Sequence, residues 1–158
     1  MVRLEFFKPD EHLSGVSYTL DESQLRFTAS ANQALQSIGE REDNDAYPIT
    51  ILENNVPVGF FVLDFGEDKF GLTDNENSVL VRSLSLNPEM QGRGIGKIAM
   101  TLVDDFVREN FKHCDEIVLA VNQKNESAYH IYLKAGYIYD GKTRMGRSGP
   151  QYLLYKKL

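Results

Sequence analysis

Apolar positions along this chain follow two periods, and the changes between them mark out its elements. Alternating or unbroken apolar runs predict strands at 2–7, 48–53, 56–63, 79–86, 116–121, 137–140 and 151–157. Asn54-Asn55 separates the second and third of these as a two-residue hairpin turn. Helical spacing replaces alternation after residue 94. Ile95, Ala99, Leu102 and Phe106 recur at steps of four, three and four, which predicts one buried helical face. Ala128, Ile131, Tyr132 and Ala135 form a second such face, with Asn125 or Ser127 placed to cap it and Gly136 to stop it. Glu22 to Ile38 reads as one or two helices with Leu25, Ala29, Leu35 and Ile38 inward, and Glu11 to Leu13 opens a helix or loop. Residues 64–77 form a polar loop containing Gly66, Gly71 and several acids.

A strand-rich first half followed by β-α-β-α-β predicts a mixed α/β fold, three layers with helices on a central sheet. The 158 residues are 42% apolar and 25% charged, and no linker, repeat or charge block divides them, so residues 1–158 are expected to form one domain. No apolar run reaches membrane-spanning length, and charges interrupt the N-terminal Met1-Val-Arg-Leu-Glu-Phe-Phe-Lys where a signal peptide would be apolar. With the single cysteine, Cys114, unable to form an internal disulfide, a cytoplasmic location is the default expectation. A net charge of −6 argues against nucleic acid as a partner and is compatible with a cationic amine. Asp64, Glu67, Asp68, Asp74 and Glu76 are read as a solvated loop or as an acidic rim that attracts such an amine.

The densest chemistry lies between the strand at 79–86 and the helix from 95. Gln91-Gly92-Arg93-Gly94-Ile95-Gly96-Lys97 alternates glycines, which lets backbone approach a ligand closely and aims several N–H groups one way at a helix N-terminus. A phosphate or pyrophosphate is the ligand that such a turn holds. Spacing rejects a Walker A loop, because Gln91 stands at the required first glycine and Ile98 follows Lys97. It also rejects the dinucleotide fingerprint, because Lys97 takes the third glycine position counted from Gly92.

The pattern Q-x-x-G-x-G, at Gln91, Gly94 and Gly96, resembles the coenzyme A pyrophosphate loop of the GNAT superfamily of N-acetyltransferases. The helix after the strand at 116–121 resembles that superfamily's second signature, N-x-x-A-x-x-x-Y-x-x-x-G-[FY], at Asn125, Ala128, Tyr132, Gly136 and Tyr137. The resemblance implies a three-layer fold with a mixed, mostly antiparallel sheet. It also implies acetyl-CoA as donor, no metal, and transfer of the acetyl group to a primary amine of a small molecule. It places the pyrophosphate on the N–H groups of Gly92, Arg93, Gly94, Ile95, Gly96 and Lys97, with Arg93 and Lys97 adding charge. A bulge and splay in the preceding strand would open the backbone of Leu84, Ser85 and Leu86 to the pantetheine arm and the thioester. Tyr132 would be the general acid for the leaving thiolate, since a phenol stays protonated at neutral pH. Asn125, Tyr129 and Lys134 would reach the cofactor from the same helix.

Among GNAT enzymes, Gln24-Leu-Arg-Phe-Thr-Ala-Ser30 and Tyr47-Pro48…Val58-Gly59-Phe60 are similar to polyamine acetyltransferases. Two departures set this chain apart from them. No acid stands near Arg82 or Ser83, and Arg147-Ser-Gly-Pro-Gln151 lacks their Gly-Glu pair. The general base is therefore unassigned, with Glu22, Glu53 or a water chain all open. A protein or peptide acetyltransferase and a non-catalytic acyl-CoA sensor remain the alternatives. Dimers are frequent in the superfamily, and nothing in the sequence fixes an interface. His12, His113 and His130 lack metal-ligand spacing and are read as surface residues.

Overall fold

The computed structural model describes all residues, Met1–Leu158. In chain order the elements are β1 (Val2–Phe6), α1 (Pro9–Val16), α2 (Glu22–Leu25), α3 (Ala31–Gly39), β2 (Ala46–Glu53), β3 (Val56–Asp64) and β4 (Ser78–Leu86). They continue with α4 (Ile95–Asn110), β5 (Glu116–Asn122), α5 (Glu126–Lys134), β6 (Ile138–Gly146) and β7 (Gly149–Lys157). The strands form one sheet in the order β1-β2-β3-β4-β5-β7-β6, in which β4 and β5 are the parallel pair and every other pairing is antiparallel.

Helices cover both faces. On one, α4 and α5 close a core around Ile49, Ile51, Phe61, Val79, Met100, Val103 and Leu119. On the other, Val16 of α1 and Ala31 and Ala34 of α3 pack on Phe60 and Val62 of β3. The local signals explain several boundaries. Asn54 and Asn55 both take positive φ, 50° and 69°, as a two-residue hairpin requires. Ser30 caps α3 in a reciprocal capping box with Gln33.

Four sequence expectations are corrected. The buried stripe of α4 runs through Ile95, Ala99, Met100, Val103 and Val107, while Leu102 and Phe106 sit on its flank. The helix must lay its stripe on the sheet beneath it, and Phe106 turns aside to meet Phe6 of edge strand β1, ring centroids 5.0 Å apart. The segment 22–38 forms two helices, α2 and α3, but Leu25, expected to face inward, is half exposed. His12 is 3% exposed, its Nδ1 accepting from the Lys8 N–H at 3.0 Å and the Thr50 hydroxyl at 2.9 Å. Strand β6 extends well past residue 140 to pair with β7. Its polar residues there, such as Lys142 and Arg144, reflect an edge strand with exposed faces.

Asp64 also departs from the solvated-loop reading. It is fully buried at the end of β3, where Arg41 grips it with two bonds of 2.8 and 3.1 Å and Arg82 with one of 3.2 Å. Burial alone would favour its neutral form, yet the Arg41 guanidinium and the Gly66 N–H hold the carboxyl below its ordinary range. This ion pair pins the loop after β3 beside β4.

Candidate active site

The parallel pair β4–β5 is short. It holds only from Ser78–Glu116 to Leu80–Val118, whereas β4 continues to Leu86 beside β3 and β5 continues to Asn122 beside β7. Beyond Leu80 the two strands diverge, leaving a wedge in the middle of the sheet whose walls carry backbone groups without a strand partner. A bulge widens it. The register of β3 on β4 slips between Phe60 and Val62, and Ser83 takes φ 58°, a left-handed conformation costly for any residue with a Cβ.

The glycine loop lies at the mouth of this wedge. Gly92 and Gly94 take φ of 77° and 79°, and Gly94 is the N-cap of α4. The first intrahelical bond runs from the Ile98 N–H to the Gly94 carbonyl, so the N–H groups of Ile95, Gly96 and Lys97 have no helical acceptor. A Cβ at Gly92 or Gly94 would meet nothing within 4 Å, so the loop surface is open. One at Gly96 would touch Leu86 at 3.4 Å and Ile131 at 3.5 Å, where β4, α4 and α5 converge. An oxyanion would find orphan donors, a helix dipole and the exposed Arg93 and Lys97 together here.

On α5, which begins beside the open end of β5, Asn125 is the N-cap. Its Oδ1 accepts the Ala128 N–H at 3.3 Å, so only its Nδ2 remains to donate. Tyr132 is 8% exposed, with its ring 5.7 Å from that of Tyr137. Burial pushes its hydroxyl well above the ordinary value of 10.0. Neither phenol makes a hydrogen bond inside the chain, and the Tyr137 hydroxyl is sealed off without a partner.

The profile of the acetyltransferase (GNAT) family matches residues 13–137. The chain belongs to this family. It is 40% identical over 157 residues to the uncharacterized N-acetyltransferase YbbJ of Bacillus subtilis, covering 98% of this chain and 96% of that protein. Its fold is also that of an aminoglycoside acetyltransferase, AAC(6')-Ib, solved with coenzyme A, at a TM-score of 0.78 and 17% identity over 99% of this chain and 95% of that one. A spermidine N-acetyltransferase from Vibrio cholerae, solved with coenzyme A and spermine, matches at 0.65 and 16% identity, again over 99% and 95%.

In this GNAT acetyltransferase most of the residues singled out in the sequence lie on elements around the wedge: Leu84, Ser85 and Leu86 on one wall, the loop from Gln91 to Lys97, and α5 with Asn125 and Tyr132, which meets the loop where Ile131 approaches Gly96. Ile95 can offer only its N–H, since its side chain is 2% exposed in the core. Tyr129 turns its ring onto Tyr152 of β7, centroids 4.6 Å apart. Lys134 faces away from Tyr132. It is exposed in the last turn of α5, two positions from Tyr132 and thus about 200° around the helix from it. Of the carboxylates left open as base, Glu22 is exposed on α2, and Glu53 has an oxygen sealed without a partner that borders no open space.

The sequence reading missed the opposite rim. Tyr18, after α1, places its hydroxyl 2.8 Å from the buried Ser85 Oγ, and burial pushes the phenol up to about 12. Gln24 bonds the main chain of Leu86, and the Ser148 hydroxyl donates to the Arg26 carbonyl at 3.3 Å. These contacts span 62 to 122 residues, beyond the reach of any local pattern. A separate groove of about 200 Å³ between Thr73 and Tyr155 lies beside Glu116, at the closed end of the β4–β5 pair.

Proposed function

We propose that this acetyltransferase moves the acetyl group of acetyl-coenzyme A directly onto a primary amine of a small molecule, with no covalent acetyl-enzyme. The observation that carries this reading is the wedge itself, with orphan N–H donors at its mouth and helix α5, which carries Tyr132, beside the open end of β5. The donor supplies an activated acyl carbon and a thiolate leaving group. The chain's own residues do the rest. The N–H groups from Gly92 to Lys97 hold the pyrophosphate, and Arg93 and Lys97 neutralise it. Main-chain groups of Leu84, Ser85 and Leu86 orient the arm, and an N–H among them faces the carbonyl oxygen where charge develops. The Asn125 Nδ2 donates to the arm. Tyr132 gives its proton to the departing sulfur as the C–S bond breaks and the new C–N bond forms, while the amine's own proton leaves to solvent and the Tyr132 phenolate regains one from solvent.

The test is thiol release from acetyl-coenzyme A with polyamines, aminoglycosides, amino acids, arylalkylamines and short peptides as acceptors. Saturable turnover with one small-amine class is the expected result. Turnover confined to peptides would overturn the small-molecule acceptor.

A further inference from the structure

The donor wedge is bridged in the structure by a side chain from the opposite rim. The Asn87 N–H donates to the Val58 carbonyl at 2.8 Å, so those two form a hydrogen-bonded pair of the β3–β4 ladder. The adjacent pair, Gly59–Leu86, must then turn its N–H and C=O groups outward, which for Leu86 means away from β3 and into the wedge. Strand β5 has already diverged there. Gln24 takes its place: its Nε2 donates to the Leu86 carbonyl at 2.9 Å, and its Oε1 accepts the Leu86 N–H at 3.1 Å. A primary amide that satisfies both main-chain groups of one residue on an open strand edge does what two successive amides of an extended chain would do there, one giving its N–H and the other its C=O. The pantetheine arm carries two such amides.

We propose that Gln24 is a placeholder for the pantetheine amides, holding the donor slot closed at Leu86 until coenzyme A displaces it. This rests on the reading of the wedge as the coenzyme A site. The segment that carries Gln24 is built to move. Helix α2 is four residues long with none buried, and Asp21 caps it locally through the Gln24 N–H. Its ties to the sheet are few: Tyr18 to Ser85, Gln24 to Leu86 and the Ser148 hydroxyl to the Arg26 carbonyl. Displacing Gln24 removes the bidentate one. Donor entry thus frees α2.

The experiment is calorimetric titration of the wild-type chain and Gln24→Ala with coenzyme A and, in parallel, with its pantetheine-free nucleotide half, 3′-phospho-ADP. Each modest hydrogen bond that no longer has to be broken contributes a factor of a few, and removing a closed state raises apparent affinity by the inverse of the open fraction. The Kd for coenzyme A is expected to fall roughly tenfold in Gln24→Ala, with that for 3′-phospho-ADP unchanged. In the wild type, amide exchange across residues 22–27 is expected to accelerate when coenzyme A binds. An unchanged or weaker Kd for coenzyme A in the variant overturns the proposal. So does a tightening shared equally by 3′-phospho-ADP, or slower exchange of α2 in the complex. Failure of the wild type to bind either ligand overturns the donor-site reading as well.

Discussion

Replacing Tyr132 with Phe separates chemistry from stability more cleanly than any other single change in this chain. The ring is 8% exposed in the core shared by α4, α5 and the sheet, and Phe preserves its shape and contacts. The hydroxyl makes no hydrogen bond within the chain, and burial alone accounts for its raised pKa, so removing it leaves no partner unsatisfied. The unfolding free energy should therefore change by less than about 1 kcal/mol. The rate is another matter. A general acid to the leaving sulfur is worth roughly 10- to 1000-fold in kcat, about 1.4 to 4 kcal/mol of barrier. The assay pairs urea unfolding with steady-state thiol release at saturating donor and acceptor, with a pre-steady-state burst measurement to establish that chemistry limits turnover. The pH profile adds a second check. A phenol held above its ordinary 10.0 stays protonated through neutral pH, so no fall in kcat below pH 10 belongs to this group. Near-normal kcat in Tyr132→Phe with chemistry rate-limiting would refute the assignment. A variant that unfolds readily would refute the claim that its hydroxyl is structurally idle.

Three other outcomes are expected. Asp64→Asn leaves Arg41 and Arg82 without their buried counter-charge and should cost about 3 kcal/mol in urea unfolding, near the low end for broken buried pairs because both arginines are partly exposed. Because the folded-state pKa of Asp64 lies below its ordinary 3.8, its contribution is present above that pH and lost as pH falls below it; the acid limb of stability should be shallower in Asp64→Asn. Gly59→Ala would bring a Cβ within 2.6 Å of Leu86 Cδ2 and 2.9 Å of the Ser85 carbonyl, so it should destabilise the fold by roughly 1 to 3 kcal/mol and raise KM for acetyl-coenzyme A by shifting β4 at the wedge; denaturation and initial rates measure both. Arg93→Ala and Lys97→Ala should each raise KM for acetyl-coenzyme A roughly 3- to 10-fold with kcat little changed, more strongly at low salt, as initial rates across ionic strength would show.

The sequence by itself determined the elements whose signals are local. Asn54-Asn55 fixed a hairpin because only residues tolerant of positive φ close so tight a turn. The Gln91–Lys97 glycines followed by helical spacing placed the start of a helix, and α4 begins at Ile95 with Gly94 as its N-cap. Together these made the fold class and the glycine loop legible. Where several partners compete for one side chain, spacing was not enough. The stripe of α4 turned toward Met100 and Val103 because the sheet set its rotation, and His12 and Asp64 went inside because Thr50 and Arg41, far along the chain, were there to satisfy them. The wedge between β4 and β5 and the Gln24 amide across its edge arise only from strand order and from contacts 62 residues apart. Local periodicity records which face of an element is apolar; which residue of a distant element meets it is decided only when the layers pack.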